Sequence, residues 1–399
     1  MLSRRTFYTV LAMLFASSAF LGATKVQANP ACGDTLTANT TLDADLDCSA
    51  IIGTAALTIG ADNIVVDLNK HMLVGPSACV RTYPTFCVSG ESDGTRGILV
   101  DGYDDVAIKN GKLTGFERGI RVIDALGVRI DNLEAFGNAF SAVRVRENST
   151  VIIDGANFHD NFNDAMGVSA GSSLTVLNSK INHNHASGIF VNQGADLDLR
   201  HNDLNDNVRS AVNLWQSSGT IMFNKISNNN LVPSPSSDFG QVSLVLPGFS
   251  AKDVVVRCNE IKGGFSHDEF GNIVADPLSG AAKAPGGVGI RRNSTGSGRV
   301  EITRNKFEKT PVAIYVTGSD TPARTFHVHR NTFKNNDIDI GFERGSGSSA
   351  TVDAENNFGI AIVDTTDNTG ATVDDTPALA KSDVCEVQTS KKGKKKGKK

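Results

Sequence analysis

The sequence predicts an all-β solenoid, in which the chain winds into stacked coils, from a repeat, a strand pattern and regular turns. Asn138, Asn161, Asn184 and Asn207 follow one another at intervals of 23 residues. A fixed period in the twenties is typical of stacked repeat folds, because one unit can bury its apolar face only against its neighbours. The unit reads Asn-x-(Ile/Leu/Phe)-x-x-Asn, a short turn, and Gly/Ala-(Ile/Val)-x-(Val/Leu).

Short segments with alternating apolar residues supply the strands of each coil. Residues 119–122 read Gly-Ile-Arg-Val, residues 142–145 read Ala-Val-Arg-Val, and residues 188–191 read Gly-Ile-Phe-Val. Between such copies lie alternating triplets, for example Leu-Thr-Val at 174–176. A period of two indicates strands with one buried face. Each coil is therefore expected to hold two or three short strands joined by polar turns.

The repeated asparagines have a structural interpretation. Asparagines that stack at one bend of successive coils can form a ladder, since each amide both donates and accepts hydrogen bonds. We therefore interpret Asn138, Asn161, Asn184 and Asn207 as part of the scaffold.

The beginning of the chain carries a second informative pattern. Residues 32–35 read Cys-Gly-Asp-Thr, residues 46–48 read Leu-Asp-Cys, and residues 68–71 read Leu-Asn-Lys-His. With the repeat, this resembles the right-handed parallel β-helix proteins of the pectate-lyase-like superfamily, in which the last motif usually reads Leu-Asn-Gly-His; Lys70 departs from it. The resemblance covers roughly residues 32 to 360 and implies a right-handed parallel β-helix of roughly ten to twelve coils. That fold hosts lyases, hydrolases, epimerases and non-enzymes, so the resemblance is specific for fold and not for activity.

The first 28 residues have the features of an export signal. Arg4 and Arg5 precede an apolar run, and Val-Gln-Ala at 26–28 suits a signal peptidase. The paired arginines also resemble a twin-arginine signal, although ordinary Sec signals often contain two adjacent arginines. The apolar run is too short for a stable membrane span, and no later segment approaches the required length. We expect residues 1–28 to be a signal peptide of an exported, periplasmic or extracellular protein without a transmembrane segment.

The net charge of −4 conceals an uneven distribution. Of the 39 Lys and Arg residues, three lie in residues 1–28 and seven in Lys391–Lys399, which leaves 29 for the body against 43 acidic residues. Residues 386–399 are expected to form a disordered polybasic tail. The tail could bind an anionic surface by counterion release, or it could serve only as a solvated tail. The acidic body argues against specific nucleic-acid binding, and we expect residues 29–385 to be a monomeric β-helix domain with an N-terminal cap.

Six cysteines suit an oxidising compartment. Their positions suggest pairs at the N-terminal cap, around a short insertion, and between the solenoid and the C-terminal segment, although sequence alone does not prove this connectivity. Metal binding by these residues is not expected, because no Cys-x-x-Cys motif occurs. The proposed pairs are Cys32 with Cys48, Cys79 with Cys87, and Cys258 with Cys385.

Strand alternation predicts which side chains face outward. Arg121 takes an outward position in one coil, and Arg144 takes the corresponding position in the next. Neighbouring coils are about 4.8 Å apart, so Arg121 should lie beside Arg144, and Asp124 beside Glu147. We interpret these four as candidate catalytic residues. The resemblance implies carboxylates around Ca²⁺ and an arginine as base, a role that needs a strongly altered environment because arginine normally stays protonated.

Further outward positions would extend this face. Arginines grip carboxylates or sulfates with two hydrogen bonds, and aromatic rings can cover sugar rings, so the expected partner is an acidic polysaccharide. The alternative is an ordinary surface on which arginine and acid columns pair across strands. The candidate substrate-binding residues are Arg146, Phe190, Asn192, Asn213, Trp215 and Tyr315.

The turns contain a second candidate site. Asp160, His183 and Asp206 are spaced 23 residues apart, one before each ladder asparagine. A stacked Asp-His-Asp column could bind a divalent cation or hold a histidine as general base. The alternative is a charge-compensated turn. Two much longer turns, residues 230–241 and 263–287, enter the proposed face and should form walls of a cleft.

The sequence patterns indicate an acidic polysaccharide as substrate more clearly than they indicate the type of reaction. The chain lacks the Gly-His-Gly and Asn-Thr-Asp motifs of polygalacturonases and the Asp-Pro-His-Asp motif of mannuronan epimerases. The leading hypothesis is an exported lyase- or epimerase-type enzyme, since both reactions begin by removing a proton next to a uronate carboxylate whose charge must be neutralised. The alternatives are a non-catalytic carbohydrate-binding protein and a structural protein of the cell envelope or surface.

Overall fold

The computed structural model describes residues 29–76, 94–230, 240–247, 253–263, 286–293, 299–317, 325–336, 338–342, 349–353, 363–364, 371–374 and Cys385. The regular structure of these ranges consists of parallel β-strands stacked into a β-helix, which confirms the predicted fold class. None of these ranges contains a helix that could cross a membrane. The predicted signal peptide, the lysine tail and the pair Cys79 and Cys87 lie outside the described residues.

One long face of the β-helix is a sheet of 13 parallel strands, one from each coil. The outer side of this sheet carries the residues that were predicted to bind substrate. Its strands are Asp34–Leu36, Ala55–Ile59, Arg96–Asp101, Arg118–Ile123, Ser141–Arg146, Met166–Val168, Ile189–Asn192, Val212–Trp215, Val242–Pro247, Val288–Asn293, Val312–Thr317, Ile338–Phe342 and Val363–Asp364. We call this sheet the long sheet.

A second sheet covers the rest of each coil and is bent in the middle; we call it the bent sheet. The strands before the bend, two of which continue through it, are Thr40–Thr41, Val65–Asp67, Ala107–Thr114, Val128–Phe136, Thr150–Asp154, Ser173–Leu177, Asp196–Arg200, Ser218–Met222, Val254–Arg257, Val300–Thr303, Thr325–His329, Ser349–Asp353 and Ala371–Asp374. The strands after the bend are Leu46–Asp47, Met72–Val74, Asn157–His159, Lys180–Asn182, Asp203–Asn205, Lys225–Ser227, Glu260–Lys262, Lys306–Glu308 and Thr332–Lys334.

Left-handed residues make the corners of each coil. In one complete coil, the chain turns after the long-sheet strand at Asp124 (φ 46°), bends at Asn132 (φ 52°) and turns back at Gly137 (φ 61°). Asn and Asp tolerate this conformation better than most residues, because their short side chains hydrogen-bond locally. The same three corners recur in the next coil at Glu147, Gly155 and Asp160. This repetition keeps successive strands in register.

The core is built from aliphatic residues that stack on their counterparts in neighbouring coils. Ile120 pairs in register with Val143, and Met166 pairs with Ile189. All four are fully buried. Burying such a side chain stabilises the fold by about 1.5–3 kcal/mol. The observed stacking explains why a single coil cannot be stable alone.

The predicted asparagine ladder is present. The side-chain amide of each member donates to the carbonyl oxygen of the next, with distances of 2.8, 2.9 and 2.8 Å from Asn138 through Asn161 and Asn184 to Asn207. Asn207 continues the ladder to Asn229 at 2.7 Å. These amides are fully buried. The ladder therefore gives hydrogen-bond partners to polar groups that water does not reach.

A second ladder runs along the bend of the bent sheet. Asn202, Asn224, Asn259, Asn305 and Asn331 are linked by amide hydrogen bonds of 3.0, 3.0, 2.9 and 3.1 Å. The repeating unit contains two asparagines five positions apart, and each forms its own ladder. The 23-residue period predicted the first of these two ladders.

Two of the three predicted disulfides lie in the described part of the chain. Cys32 is bonded to Cys48, with Cα atoms 5.5 Å apart, and closes the N-terminal cap. Cys258 is bonded to Cys385, 127 residues away in sequence. The second bond ties the C-terminal segment to a corner of the solenoid, as predicted.

Candidate functional site

The outer side of the long sheet aligns the predicted residues in columns. Arg121 pairs in register with Arg144, which confirms their side-by-side placement. The same column continues through Gly167 to Phe190 and Asn213. Strand alternation therefore assigned these residues to the correct face of the sheet.

Five arginines gather at one end of this face: Arg96, Arg118, Arg121, Arg144 and Arg146, which we call the arginine cluster. Burial lowers the pKa of Arg121, and the nearby positive charges of Arg96, Arg118 and Arg146 lower it further. Burial is also the main cause of the lowered pKa values of Arg118 and Arg144, where neighbouring arginines act in the same direction. The guanidinium groups are thus close enough to repel one another.

Glu117 anchors one side of the cluster. Its carboxylate is paired with the guanidinium of Arg118 and accepts a hydrogen bond of 2.5 Å from the backbone N–H of Gly94. Glu117 is 3% exposed, so this acid is buried together with its partner. The guanidinium of Arg118 also lies 4.9 Å from the centre of the Phe140 ring, a favourable position for a cation. These contacts hold Arg118 in place.

Asp164 anchors the other side. Its Oδ1 accepts a hydrogen bond of 3.0 Å from the backbone N–H of Ser187, and its charge raises the pKa of Arg144 against the larger lowering by burial. Arg144 lies across Gly167: a Cβ on that glycine would come within 3.0 Å of the Arg144 Cδ and would clash with its guanidinium. Gly167 therefore provides the space in which the Arg144 side chain rests.

Replacing Gly167 with alanine should displace Arg144 without unfolding the protein. The backbone of Gly167 is not left-handed, and the clash is with a flexible side chain that can move. We expect the affinity for an acidic polysaccharide to fall about tenfold, the loss of one charge-assisted contact. The midpoint of thermal unfolding should change little. Ser169→Ala, two residues further along the same coil, is the control, and equal affinity of both variants and the native protein would contradict the role of Arg144.

The cluster contains polar atoms without partners. The Nε atoms of Arg96, Arg121 and Arg146 are buried and make no hydrogen bond. A buried charged donor without an acceptor is costly, and each guanidinium carries five N–H donors that suit carboxylates. Glu117 and Asp164 are the two buried carboxylates beside five arginines. The cluster therefore has an excess of positive charge that an anionic ligand would neutralise.

Asp124 and Glu147 occupy the left-handed corners that follow the paired strands, with φ values of 46° and 60°. Both are exposed to solvent. The charge of Glu147 acts on Arg121, which places it near the cluster. Ca²⁺ takes about six to eight oxygen ligands, and these two carboxylates do not make up such a set. The described residues therefore do not fit the calcium site that the sequence resemblance implied.

The aromatic end of the face lies two and three coils beyond Arg144. Phe190 and Trp215 are half-buried, and Asn192 pairs in register with Trp215. Each ring thus combines packing against the sheet with a surface left for a ligand. Arg146 and these three residues occupy the outward positions that the alternation predicted.

Two predicted contact residues are less accessible than expected. Asn213 and Tyr315 lie in the outward column, as predicted, but they are only 2% and 7% exposed. Asn213 is short and lies between Phe190 and Ser243 in register, so its neighbours cover it. Tyr315 lies between two glycines, Gly289 and Gly341, in the same column. Their outward placement is as predicted, whereas substrate binding by Asn213 and Tyr315 stays a prediction that their low exposure does not favour.

The turn column of Asp160, His183 and Asp206 forms pairs. The carboxylate of Asp160 is 2.7 Å from Nδ1 of His159, and Nε2 of His183 is 3.9 Å from the carboxylate of Asp206. Within the described ranges, no group of three or more His, Cys, Asp or Glu side chains is arranged to hold a metal ion. These contacts are those expected of charge-compensated turns, and a metal role for the column stays a prediction.

Sequence reasoning missed four residues of the site, although a signal existed for two. Arg96 and Arg118 begin the copies Arg-Gly-Ile-x-Val in adjacent coils and pair in register. Their spacing could have placed them beside Arg121. Glu117 and Asp164 could not be found in this way, because their role depends on side-chain packing at the turns. Most of the two long insertions, residues 231–239 and 264–285, lies outside the described residues, as does any wall that they form.

Comparisons with known proteins agree with the fold. Residues 88–232 match the family model described as "Right handed beta helix region", which gives the hand of the solenoid. No curated protein matches the chain. Similar solved structures include a pectate lyase from Bacillus sp. N165 in complex with trigalacturonate, 17% identical over 64% of this chain and 74% of that chain, with a TM-score of 0.38.

Two further solved structures have comparable similarity. A DFA-IIIase from Arthrobacter chlorophenolicus A6 in complex with GF2 is 13% identical, over 85% of this chain and 75% of that chain, with a TM-score of 0.43. The A-module of a mannuronan C-5 epimerase from Azotobacter vinelandii is 12% identical, over 86% of this chain and 92% of that chain, with a TM-score of 0.42. At these identities the likeness concerns the fold alone.

Proposed function

We propose that this right-handed parallel β-helix protein is exported and acts on a uronate-containing polysaccharide at the arginine cluster. The observation that carries the proposal is the set of three buried arginine Nε atoms without partners, in a cluster of five arginines. Export is supported by the N-terminal signal pattern and by two disulfides, since such bonds persist in oxidising compartments.

The shape of the face suits a polymer better than a small anion. Arg96 and Trp215 are separated by five coil spacings, or about 24 Å along the solenoid. Arginines occupy one end of this distance, and the rings of Phe190 and Trp215 occupy the other. A chain of sugar acids laid along the solenoid would place carboxylates on the arginines and sugar rings on the aromatic side chains.

The arginine cluster supplies the positive charge that two reactions of uronate sugars require. In β-elimination the proton at carbon 5 leaves, the bond from carbon 4 to the glycosidic oxygen breaks, and a C4–C5 double bond forms while the leaving oxygen gains a proton. In C5-epimerisation a proton returns to carbon 5 from the opposite side. Negative charge builds on the neighbouring carboxylate in both reactions, and fixed guanidinium groups stabilise it. Arg121, which lies beside Arg144 in register at the centre of the cluster, is the proposed base that takes the proton from carbon 5. Burial and three other arginines lower its pKa, which is the direction that this role requires.

The test is turnover by the purified mature protein. Pectate, alginate and glycosaminoglycans are each incubated with the protein, and the formation of 4,5-unsaturated uronate is followed by absorbance while epimer content is followed by NMR. We expect one of these polymers to give either unsaturated ends or inverted carbon 5. If neither product forms from any polymer, the enzymatic proposal is wrong.

A second candidate function is binding of the same polymer without turnover. The observation that favours it is that Glu117 and Asp164, the buried carboxylates at the cluster, are already engaged with Arg118 and with the backbone of Ser187. Neither is then a ready base. A binding protein would be retained on an acidic glycan column, and the Trp215→Ala substitution would weaken that retention. It would give no product in the turnover assay.

A further inference from the structure

A pocket of about 520 Å³ lies at the bend of the bent sheet. Lys70, Lys112, Asn132, Glu134 and Asn157 are among the residues that line it. None of them belongs to the arginine cluster, which lies on the long sheet. The volume falls in the range of small-molecule sites, about 300–1,000 Å³, and is too large for a single inorganic anion.

Lys70 lies at a left-handed corner of its coil and borders the pocket. Its φ is 70°, a left-handed conformation that costs about 1–2 kcal/mol for a side chain other than glycine. Its backbone N–H donates a hydrogen bond of 2.5 Å to the carbonyl oxygen of Asn110, which holds this conformation. The side chain is exposed at the pocket, and no carboxylate of the described residues forms an ion pair with it. An exposed lysine at a pocket can contact an anionic group of a ligand.

The other charges of the pocket balance one another. Lys112 Nζ lies 2.9 Å from the Glu134 carboxylate, which is also 3.1 Å from Nε2 of His159. Burial acts to raise the pKa of Glu134, but hydrogen bonds from Lys112 and His159 outweigh it and lower that pKa. The charge of Glu134 is therefore compensated, and Lys70 is the lining cation that pairs with no carboxylate in the described part of the chain.

The amides of the pocket favour a ligand with hydroxyl groups. The Oδ1 atom of Asn157 is buried and accepts no hydrogen bond, so it needs a donor. The Asn132 side chain lies over Gly155, where a Cβ would approach its Oδ1 to 2.8 Å. Glycine at that corner leaves the amide free to border the pocket. A hydroxyl supplies the donor that Asn157 lacks, whereas a fully ionised inorganic anion does not.

We infer that this pocket is a second binding site, for a short anionic saccharide whose carboxylate contacts Lys70 and whose hydroxyl groups contact Asn157 and Asn132. The site is separate from the proposed catalytic face and does not depend on turnover there. The pocket would hold one end or branch of an acidic glycan while the long sheet faces another segment.

The test uses the full chain with Arg121 and Arg144 both replaced by alanine, so that the arginine cluster is weakened. Digalacturonate is titrated into this variant by calorimetry, with lactose as the uncharged probe and inorganic phosphate as the competitor. We expect saturable binding of digalacturonate, at least tenfold weaker binding of lactose, and little competition by phosphate.

Two further changes in this background locate the binding. Lys70→Gly removes the amine and relieves the left-handed strain, so it should weaken digalacturonate binding at least tenfold while the unfolding midpoint does not fall. Asn157→Leu should have a similar effect on binding. Lys180→Ala is the control, because Lys180 pairs with Asn157 in register but does not line the pocket.

Four results would overturn the inference. Absence of digalacturonate binding would show that the pocket is not a saccharide site, as would binding that Lys70→Gly and Asn157→Leu leave unchanged. Equal binding of lactose would contradict the anionic class, and full competition by phosphate would contradict the need for hydroxyl groups. None of these results bears on turnover by the native protein, so the two proposals fail separately.

Discussion

Replacing Arg121 with alanine is expected to lower the turnover of a uronate polysaccharide about 1,000-fold, the usual effect of removing a general base or a charge-stabilising donor. Arg121 lies beside Arg144 in register, at the centre of the cluster. The same change should not destabilise the fold. Arg96, Arg118 and Arg146 repel Arg121, which is part of the reason that its pKa is lowered, so its removal relieves like-charge repulsion.

Two matched variants make this prediction specific. Arg121→Lys keeps the positive charge but loses the planar donor set, so substrate binding should be largely retained while the rate of the chemical step falls. Arg129→Ala removes an exposed arginine of the bent sheet that contacts Asp131, and it should leave turnover unchanged. Initial rates over a range of substrate concentrations, with thermal unfolding of each variant, provide the measurement. Native turnover by Arg121→Ala would remove Arg121 from the reaction.

Replacing Asn161 with alanine is expected to lower the free energy of unfolding by about 3 kcal/mol or more, since each buried polar group left unsatisfied costs about 1–3 kcal/mol. Asn161 Oδ1 accepts from both the backbone N–H and the side-chain amide of Asn138. Its own amide donates to Asn184, Ala135 and His159. The substitution therefore removes hydrogen bonds from groups in three coils, in a region that water does not reach; Asn184 Oδ1 keeps only the bond from the backbone N–H of residue 161.

Asn205→Ala is the control for the ladder. Asn205 also belongs to the repeating unit, but it is half-buried, and its side-chain amide donates to the carboxylate of Asp206 at the surface. Its loss should cost less than about 1 kcal/mol. Urea-induced unfolding of both variants measures the difference. If Asn161→Ala is no less stable than Asn205→Ala, the buried ladder is not a major source of stability.

The fold could be predicted from the sequence because its determinants repeat. The spacing of Asn138 and its counterparts set the coil length, and the alternation around Arg121 and Arg144 identified the outer face. Both signals come from short stretches of sequence, and they recur in successive coils because the coils stack on one another. The predicted pairs Cys32 with Cys48 and Cys258 with Cys385 are also present, although the sequence suggested their connectivity without proving it.

The site was only partly predictable, because exposure and contact depend on neighbours that alternation does not describe. Asn213 and Tyr315 face outward but are buried, since exposure depends on the side chains in the adjoining coils. Asp164 contributes to the cluster through a hydrogen bond at a turn, and no periodic pattern identifies such a bond. The pocket at Lys70 arises where a left-handed backbone meets a bend, which is a property of the folded chain.

The second asparagine ladder shows how the scaffold tolerates changes in coil length. Successive members are 22, 35, 46 and 26 residues apart in sequence, yet their amides remain 2.9–3.1 Å from one another. The first ladder shows the same tolerance. At the first long insertion, Gln241 takes the place of an asparagine, and its side-chain oxygen accepts a hydrogen bond from Asn229 at 3.2 Å. The number of residues between corners thus varies while the corner spacing stays constant. The molecule offers a modular frame for loop grafting: foreign segments inserted between Asn229 and Gln241 could diversify recognition without redesign of the stack.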